Sequence, residues 1–328
     1  MTGYTIKLFF SALLLSYSST STAQTASTGD PYPEKPIKIV VPFAPGGGAD
    51  FMGRLTSDML TEALGKSVIV ENKPGAASTI GSEYAIKSKP DGYTLLLNSG
   101  SYTVTPSFYK LNYDPVEDIT PVIQLSEGPY MLAVSSKLPV KNVSELIEYI
   151  KKHPGKTSYS SSGLGGHLQV ITEYFLGEAD VTALHVPYKG TGPALTGLLS
   201  GDTQIMFAGP EQIMPHAKSG RINILAVSTK ERVSIYPDIP TIAESGIPGF
   251  EAISWHGVSA PKGTSKEVID KLNIILNKQL QFPKTAEKLN GFGVSPKGGE
   301  PKILSDLLRR EIAVYAKVIK DKGIKINN

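Results

Sequence analysis

The 328-residue chain has no cysteine, a single tryptophan, five histidines and no block of consecutive basic residues. Without cysteine there are no disulfides, no thiolate catalysis, no Cys-ligated metal and no lipidated cysteine of the kind that tethers bacterial lipoproteins. His153, His167, His185, His216 and His256 are scattered without metal-ligand spacing, so neither a metal nor a cofactor is expected. The net charge of +3 forms no basic patch, and no nucleic-acid partner is expected. Beyond the N-terminal stretch, no segment approaches the roughly 20 uninterrupted apolar residues of a membrane-spanning helix. No Gly-x-Ser-x-Gly elbow surrounds Ser160, Ser161 or Ser162, so these serines read as hydrogen-bond donors and not as activated nucleophiles.

What is present begins with "MTGYTIKLFFSALLLSYSSTSTAQ", in which Lys7 precedes an apolar run from Leu8 to Leu15 and small residues follow. This is the pattern of a secretory signal peptide, with Ser21 and Ala23 fitting one cleavage site and Ala26 a second. Residues 1–26 are therefore set apart from the fold, and the mature product is expected to be soluble and free in an extracytoplasmic space. Removing Lys7 takes the net charge from +3 to +2. The remainder is long enough for two domains, each with its own core.

From Ile37 onward, apolar runs alternate with amphipathic segments, which predicts parallel strands joined by helices. "IKIVVPF", "SVIVEN" and "GYTLLLN" read as strands. The first helix places Phe51, Leu55, Met59 and Ala63 at helical spacing and is stopped by Gly65. After a break the pattern recurs: "KTSYSSS", "VTALHV", "TQIMF" and "INILAVS" are strands, interleaved with "HLQVITEYFLG", "TGPALTGLLSG" and "EQIMPHAKSG" as helices. Two doubly wound α/β units follow from this reading. The tail, Ser265 to Leu280 and Ile303 to Lys322, reads as mostly helical.

Each unit carries a strand, a glycine cluster and a helix in succession. Gly46, Gly47 and Gly48 open the first such helix, and the cluster Gly163, Leu164, Gly165, Gly166 opens the second. Glycine at a strand-to-helix turn lets backbone N–H groups approach an anion, and the helix N-terminus adds about half a positive charge. One such loop could simply be a tight turn; two favour a shared cleft for an anion, a carboxylate serving as well as a phosphate. A dinucleotide site is disfavoured: Glu71 sits at the ribose-binding distance, but Phe51 occupies the third glycine position of the fingerprint. A P-loop lacks its Gly-Lys-Ser/Thr.

Several side chains stay open to two readings. His167 opens a helix beside Gly166 and could turn its ring into a cleft. Asp50 either favours the first turn of its helix, the commoner role, or faces a ligand, where it would attract an amine. Tyr188 in "VPYKG" serves either a ligand or its own turn, whereas Lys189 reads as solvated. Trp255 in "EAISWHGVSAP" is core or hinge packing, with ring stacking on a ligand as the alternative.

Taken together, "YPEKPIKIVVPFAPGGGAD", "VENKPGAASTIGSEYAIKSKPDGYTLLL", "HVPYKGTGPALTGLLSGD" and "PDIPTIAESGIPGFEAISWHGVSAPKGT", with the leader, resemble the Bug family. These are periplasmic solute receptors of tripartite tricarboxylate transporters, and the resemblance spans essentially the whole mature chain. It implies a periplasmic binding protein of type II topology: two doubly wound α/β lobes, a Venus flytrap, joined by two crossover strands. Lobe 1 would comprise residues 31–129 plus 256–328 and lobe 2 residues 130–255, with crossings near "YMLAVSS" and "EAISWHG".

The resemblance further implies a ligand carboxylate held between two loops. These are Gly46, Gly47, Gly48, Ala49 and Asp50 on one side, and Ser162, Gly163, Leu164, Gly165, Gly166 and His167 on the other. Ser99, Gly100, Ala208 and Gly209 would line the rest. Relatives often carry Thr in place of Ala49 and Asp or Asn in place of Ala208, so a less polar wall near Ala208 and a ligand with an apolar body are expected. The function implied is an extracytoplasmic receptor, monomeric and not an enzyme, that delivers a small carboxylate to membrane permease subunits. The alternative is an exported α/β hydrolase acting on a small acid.

Overall fold

Ile37–Val41 (β1) is apolar at four of its five positions, as a strand covered on both faces must be. Its neighbours are Val68–Asn72 (β2) and Thr94–Ser99 (β3), both parallel to it, with Ile39 opposite Val70 on one side and Leu95 on the other. The computed structural model describes residues 1–2, 32–291 and 293–325. The expected signal peptide, residues 1–26, lies outside the described residues apart from its first two.

Gly48–Leu64 (α1) follows β1 and ends at Gly65, whose left-handed backbone lets its N–H reach the Thr61 carbonyl at 3.0 Å. Thr79–Ile86 (α2) links β2 to β3, and Gly100–Val104 (α3) opens directly from β3. The chain then forms a long strand, Ile119–Pro129 (β4), and passes through Tyr130 into Met131–Ser135 (β5). Val143–Lys152 (α4) is capped by Asn142, which accepts from the Glu145 amide at 2.8 Å. Ser158–Ser161 (β6), His167–Glu178 (α5), Leu184–Pro187 (β7), Thr191–Ser200 (α6), Ile205–Ala208 (β8), Pro210–Lys218 (α7) and Ile222–Val227 (β9) follow in strict alternation. The last elements are Ile253–Pro261 (β10), Lys266–Leu280 (α8), Pro283–Asn290 (α9), Ser295–Pro296 (β11) and Pro301–Asp321 (α10).

The strands form two sheets, ordered β11-β4-β10-β3-β1-β2 and β7-β6-β8-β5-β9. Without the short edge strand β11, the two orders are the same: β2-β1-β3-β10-β4 matches β7-β6-β8-β5-β9 position by position. In each, one strand runs antiparallel to its neighbours, β10 in the first and β5 in the second. Each of these strands comes directly after the chain has left the other sheet. This corrects the expectation of wholly parallel sheets, because a strand that enters from the opposite lobe arrives at the far end of the sheet. β5 and β10 were expected only as crossing segments and β4 was not expected at all; β4 and β10 pair along nine residues of β10, with two register shifts.

Ser228 ties the two crossings together. Its amide donates to the Tyr130 carbonyl at 2.9 Å, its hydroxyl accepts from the Tyr130 amide at 2.8 Å, and that hydroxyl donates to the Ala252 carbonyl at 2.6 Å. Each lobe buries its own apolar cluster, one around Ile39, Leu97 and Leu276, the other around Leu132, Phe175 and Phe207. No helix among the described residues is long and apolar enough to cross a membrane.

Candidate functional site

Five helices begin at one cavity. Its wall includes Gly47, Gly48 and Ala49 at the start of α1, Ser99 and Gly100 at α3, and Ser162 and His167 at α5. Thr191 at α6 and Gly209, Glu211 and Gln212 at α7 complete it from the second lobe. None of the five N-cap residues bonds its helix through a side chain, so the first-turn amides depend on other partners; in α5 the His167 amide finds one in Ser101, and α7 opens on Pro210, which has no N–H. The aligned peptide dipoles make each N-terminus partly positive. No lysine or arginine among the described residues lines the cavity.

The lobes meet closely at this point. The Ala44 amide donates to the Lys189 carbonyl at 3.3 Å, and the His167 amide donates to the Ser101 hydroxyl at 3.2 Å. The Tyr109 hydroxyl donates to the Leu164 carbonyl. A side chain on Gly192 would meet the Gly46 carbonyl at 3.0 Å, so backbone packs on backbone across the cleft.

His167 is buried, its Nδ1 lies 3.0 Å from the Tyr130 hydroxyl, and its ring stands edge-on to both Tyr130 and Tyr315. Its Nε2 has no partner. Burial lowers its pKa to about 3, so the ring is neutral at physiological pH. His256, from β10, also lines the cavity, and burial lowers its pKa to about 4. The positive potential of the cleft therefore comes from backbone, not from imidazolium.

Of the sequence-predicted residues, the structure brings Gly47, Gly48, Ala49, Ser99, Gly100, Ser162, His167 and Gly209 to this cavity. Gly46 and Asp50 instead line an adjoining surface groove with Arg54. The Asp50 carboxylate is saturated by its own lobe: it accepts from the Gly46 amide at 3.1 Å, from Arg54 at 3.0 and 3.1 Å, and from Asn72 at 2.9 Å. Burial pushes its pKa up, but the bonds from Arg54, Asn72 and Gly46 outweigh it and hold the group below the usual carboxylate range. Asp50 braces the first loop.

Gly163, Leu164 and Tyr188 line a separate groove with the Pro74–Ser78 turn, and the Tyr188 ring packs against Gly197. Gly165 and Gly166 shape the second loop without facing the cavity; the Gly165 amide is taken by the Gln169 side chain at 2.6 Å. Ala208 is fully buried in the second lobe beside Met131, Ala194 and Ile213. The expected apolar wall is thus corrected: the side chain that reaches the cleft from this junction is Glu211. Trp255 is core, its Nε1 donating to the Glu311 carboxylate at 2.8 Å.

Sequence reasoning missed Glu211, Thr191, Tyr130, Ser254 and His256 as lining residues. The first two carry a signal: each follows a glycine at a strand-to-helix turn, in "YKGTG" and "FAGPE". The other three lie on or beside the crossing strands, where no loop motif marks them.

The model of the tripartite tricarboxylate transporter family receptor matches residues 52–324. The chain belongs to this receptor family. Protein BugT of Bordetella pertussis is 34% identical over 91% of this chain and 93% of its own length. The solved structure of R. palustris Rpa4515 with adipate is 35% identical, with a TM-score of 0.87 over 90% of this chain and 99% of that one. The periplasmic binding protein BugD gives 35% identity and a TM-score of 0.86 over the same shares. The two sheets of this family member are accordingly the two α/β lobes of a periplasmic binding protein, and its function is that of a solute receptor.

Proposed function

We propose that this receptor holds one carboxylate of a small organic acid in the cleft where the five helices begin, and presents it to membrane permease subunits of a tripartite transporter. The observation that carries the reading is the convergence of helix N-termini without side-chain caps on a cavity that no cationic side chain among the described residues lines. Such a site neutralises an anion with backbone donors, and the adipate-bound relative is a carboxylate complex. Residues 31–129 with 256–328 form one lobe and 130–255 the other in this reading, which sheet membership supports except at Ile253, Ser254 and Trp255, already paired with β4 in the first sheet. The protein acts in the periplasm as a monomer, after loss of residues 1–26.

It acts without turnover. In support, the His167 ring is hydrogen-bonded to a tyrosine hydroxyl and to no carboxylate among the described residues, so the imidazole beside Ser162 and Ser99 has no charged partner. Closure of the lobes shifts an open–closed population and signals occupancy. A thermal-shift screen with organic acids tests this. A ligand at 100 times its dissociation constant adds about 2.7 kcal/mol to folded stability. Stabilisation with the compound recovered unchanged is expected; consumption of the stabilising compound would overturn the receptor reading.

A further inference from the structure

Among the described residues, Glu211 is the one carboxylic acid in the wall of the cleft. Part of the residue reaches solvent, but its Oε2 is closed off and has no hydrogen-bond partner among the described residues, while the carboxylate is otherwise held only by the neighbouring Gln212 side chain, 3.3 Å from Oε1, and by its own backbone amide. No lysine or arginine among the described residues comes within ion-pair distance of it. Arg54, the cation of the adjoining groove, is held by Asp50. Two glycines make room for the carboxylate. A Cβ on Gly48 would lie 2.1 Å from Oε1, and one on Gly209 would lie 2.3 Å from both oxygens.

An unpaired carboxylate withdrawn from water is costly and is normally paired or protonated. This one, although it comes from the second lobe, lies directly against Gly48 at the start of α1, beside the backbone donors proposed to take the ligand's own carboxylate. A second ligand carboxylate on this side would meet a like charge. A ligand ammonium would meet its missing partner.

We propose that Glu211 selects a ligand with a single carboxylate and an ammonium group, the carboxylate seated on the helix N-termini and the ammonium on Glu211. This rests on the carboxylate reading above and narrows it to net-neutral amino acids. Burial raises the Glu211 pKa to about 7, so the free protein is partly protonated there at neutral pH. A bound ammonium lowers that value and expels a proton; a bound second carboxylate raises it and draws one in. The other titratable groups facing this region hold one state near neutrality. Burial keeps Tyr130 and Tyr236 un-ionised and His167, His256 and His216 neutral, while Asp50 stays charged.

The test uses matched pairs in which one carboxylate is exchanged for an ammonium: succinate with β-alanine, glutarate with γ-aminobutyrate, adipate with δ-aminovalerate. Calorimetry on the full mature chain, in two buffers of different ionisation enthalpy, reads affinity and proton transfer together. The amino member of at least one pair is expected to bind about tenfold tighter than its dicarboxylate and to release protons. Glu211→Gln is expected to weaken that amino member about tenfold while leaving the dicarboxylate unchanged or tighter. A dicarboxylate preferred in every pair, or an equal effect of E211Q on both members, overturns the inference and leaves the carboxylate reading standing. Binding of n-butylamine with neither member of any pair binding overturns the carboxylate reading and, with it, this inference. Should E211Q fail to fold, the sign of proton transfer in the unaltered protein decides alone.

Discussion

Gly100 and His167, one from each lobe, are so close that a Cβ on Gly100 would stand 2.0 Å from the imidazole Nδ1. The ring cannot readily give way, because Tyr130 and Tyr315 flank it edge-on at 5.4 and 4.7 Å. A glycine that looks in sequence like part of a phosphate-style turn is thus also the socket for a histidine from across the cleft.

Gly100→Ala should therefore hold the lobes apart at this point. Overpacking of this kind costs about 1–3 kcal/mol. The expected result is a lower urea midpoint together with at least a tenfold loss of carboxylate affinity by calorimetry. Unchanged affinity would show that His167 does not need its present seat.

Asp50 and Asn72 form the brace under the first loop, so Asp50→Ala should act on the loop and not on ligand charge. Removing one partner of a buried network typically costs about 1–3 kcal/mol. Asp50→Ala and Asn72→Ala should be coupled by about 0.5 kcal/mol or more in a double-mutant cycle of stability, since their side chains bond at 2.9 Å. Additive effects would break the proposed brace. A ligand-facing Asp50 would instead change selectivity between amines and acids.

Glu311, on α10, accepts from Trp255 at 2.8 Å and Thr103 at 2.9 Å, and burial raises its pKa to about 7 despite these bonds. A carboxyl whose folded pKa lies above its unfolded value binds more protons when folded. Its contribution is complete below about pH 4.5 and is lost as pH rises through about 7. Relative to Glu311→Gln, the unaltered protein should lose on the order of 3 kcal/mol between pH 4.5 and pH 8. Chemical denaturation at several pH values checks this, and parallel curves for the two proteins would refute it.

His167 and His256 give the opposite slope on the acid side. Their folded pKa values, about 3 and about 4, lie below the usual 6.5, so their contribution is complete above about pH 6.5 and is lost as pH falls through 4. His256→Gln should flatten the acid limb of the stability profile. In Glu211→Gln, which removes the other titrating wall group, carboxylate affinity should change less than about twofold between pH 6 and pH 8. A steep rise in affinity on acidification would mean that an imidazolium, not backbone, holds the anion.

Much of the fold was legible because local rules agree with it. The apolar run of β1, the glycine stop of α1 and the strand-glycine-helix junctions are written in contiguous residues. β4 was not, because Pro121 and Pro129 interrupt it and its burial follows no two-residue alternation. Glu211 was read only as part of a helix, since nothing in "GPEQIM" says that its carboxylate faces the other lobe. For Asp50 the helix-start role was the commoner reading and a ligand contact stayed open, whereas the bonds from Asn72 and Gly46 make it a brace within its own lobe.

By itself, the amino-acid sequence determined the repeated unit: which segments are strands, which helices follow them, and that glycines free the amides between. Periodicity and backbone freedom act over a few residues, so they are readable there. Only tertiary structure decided which amides share one cavity, which strands run backwards, and which acid is left without a cationic partner. Those depend on where the chain crosses between two sheets and on what the opposite lobe presents, and no stretch of neighbouring residues carries that information.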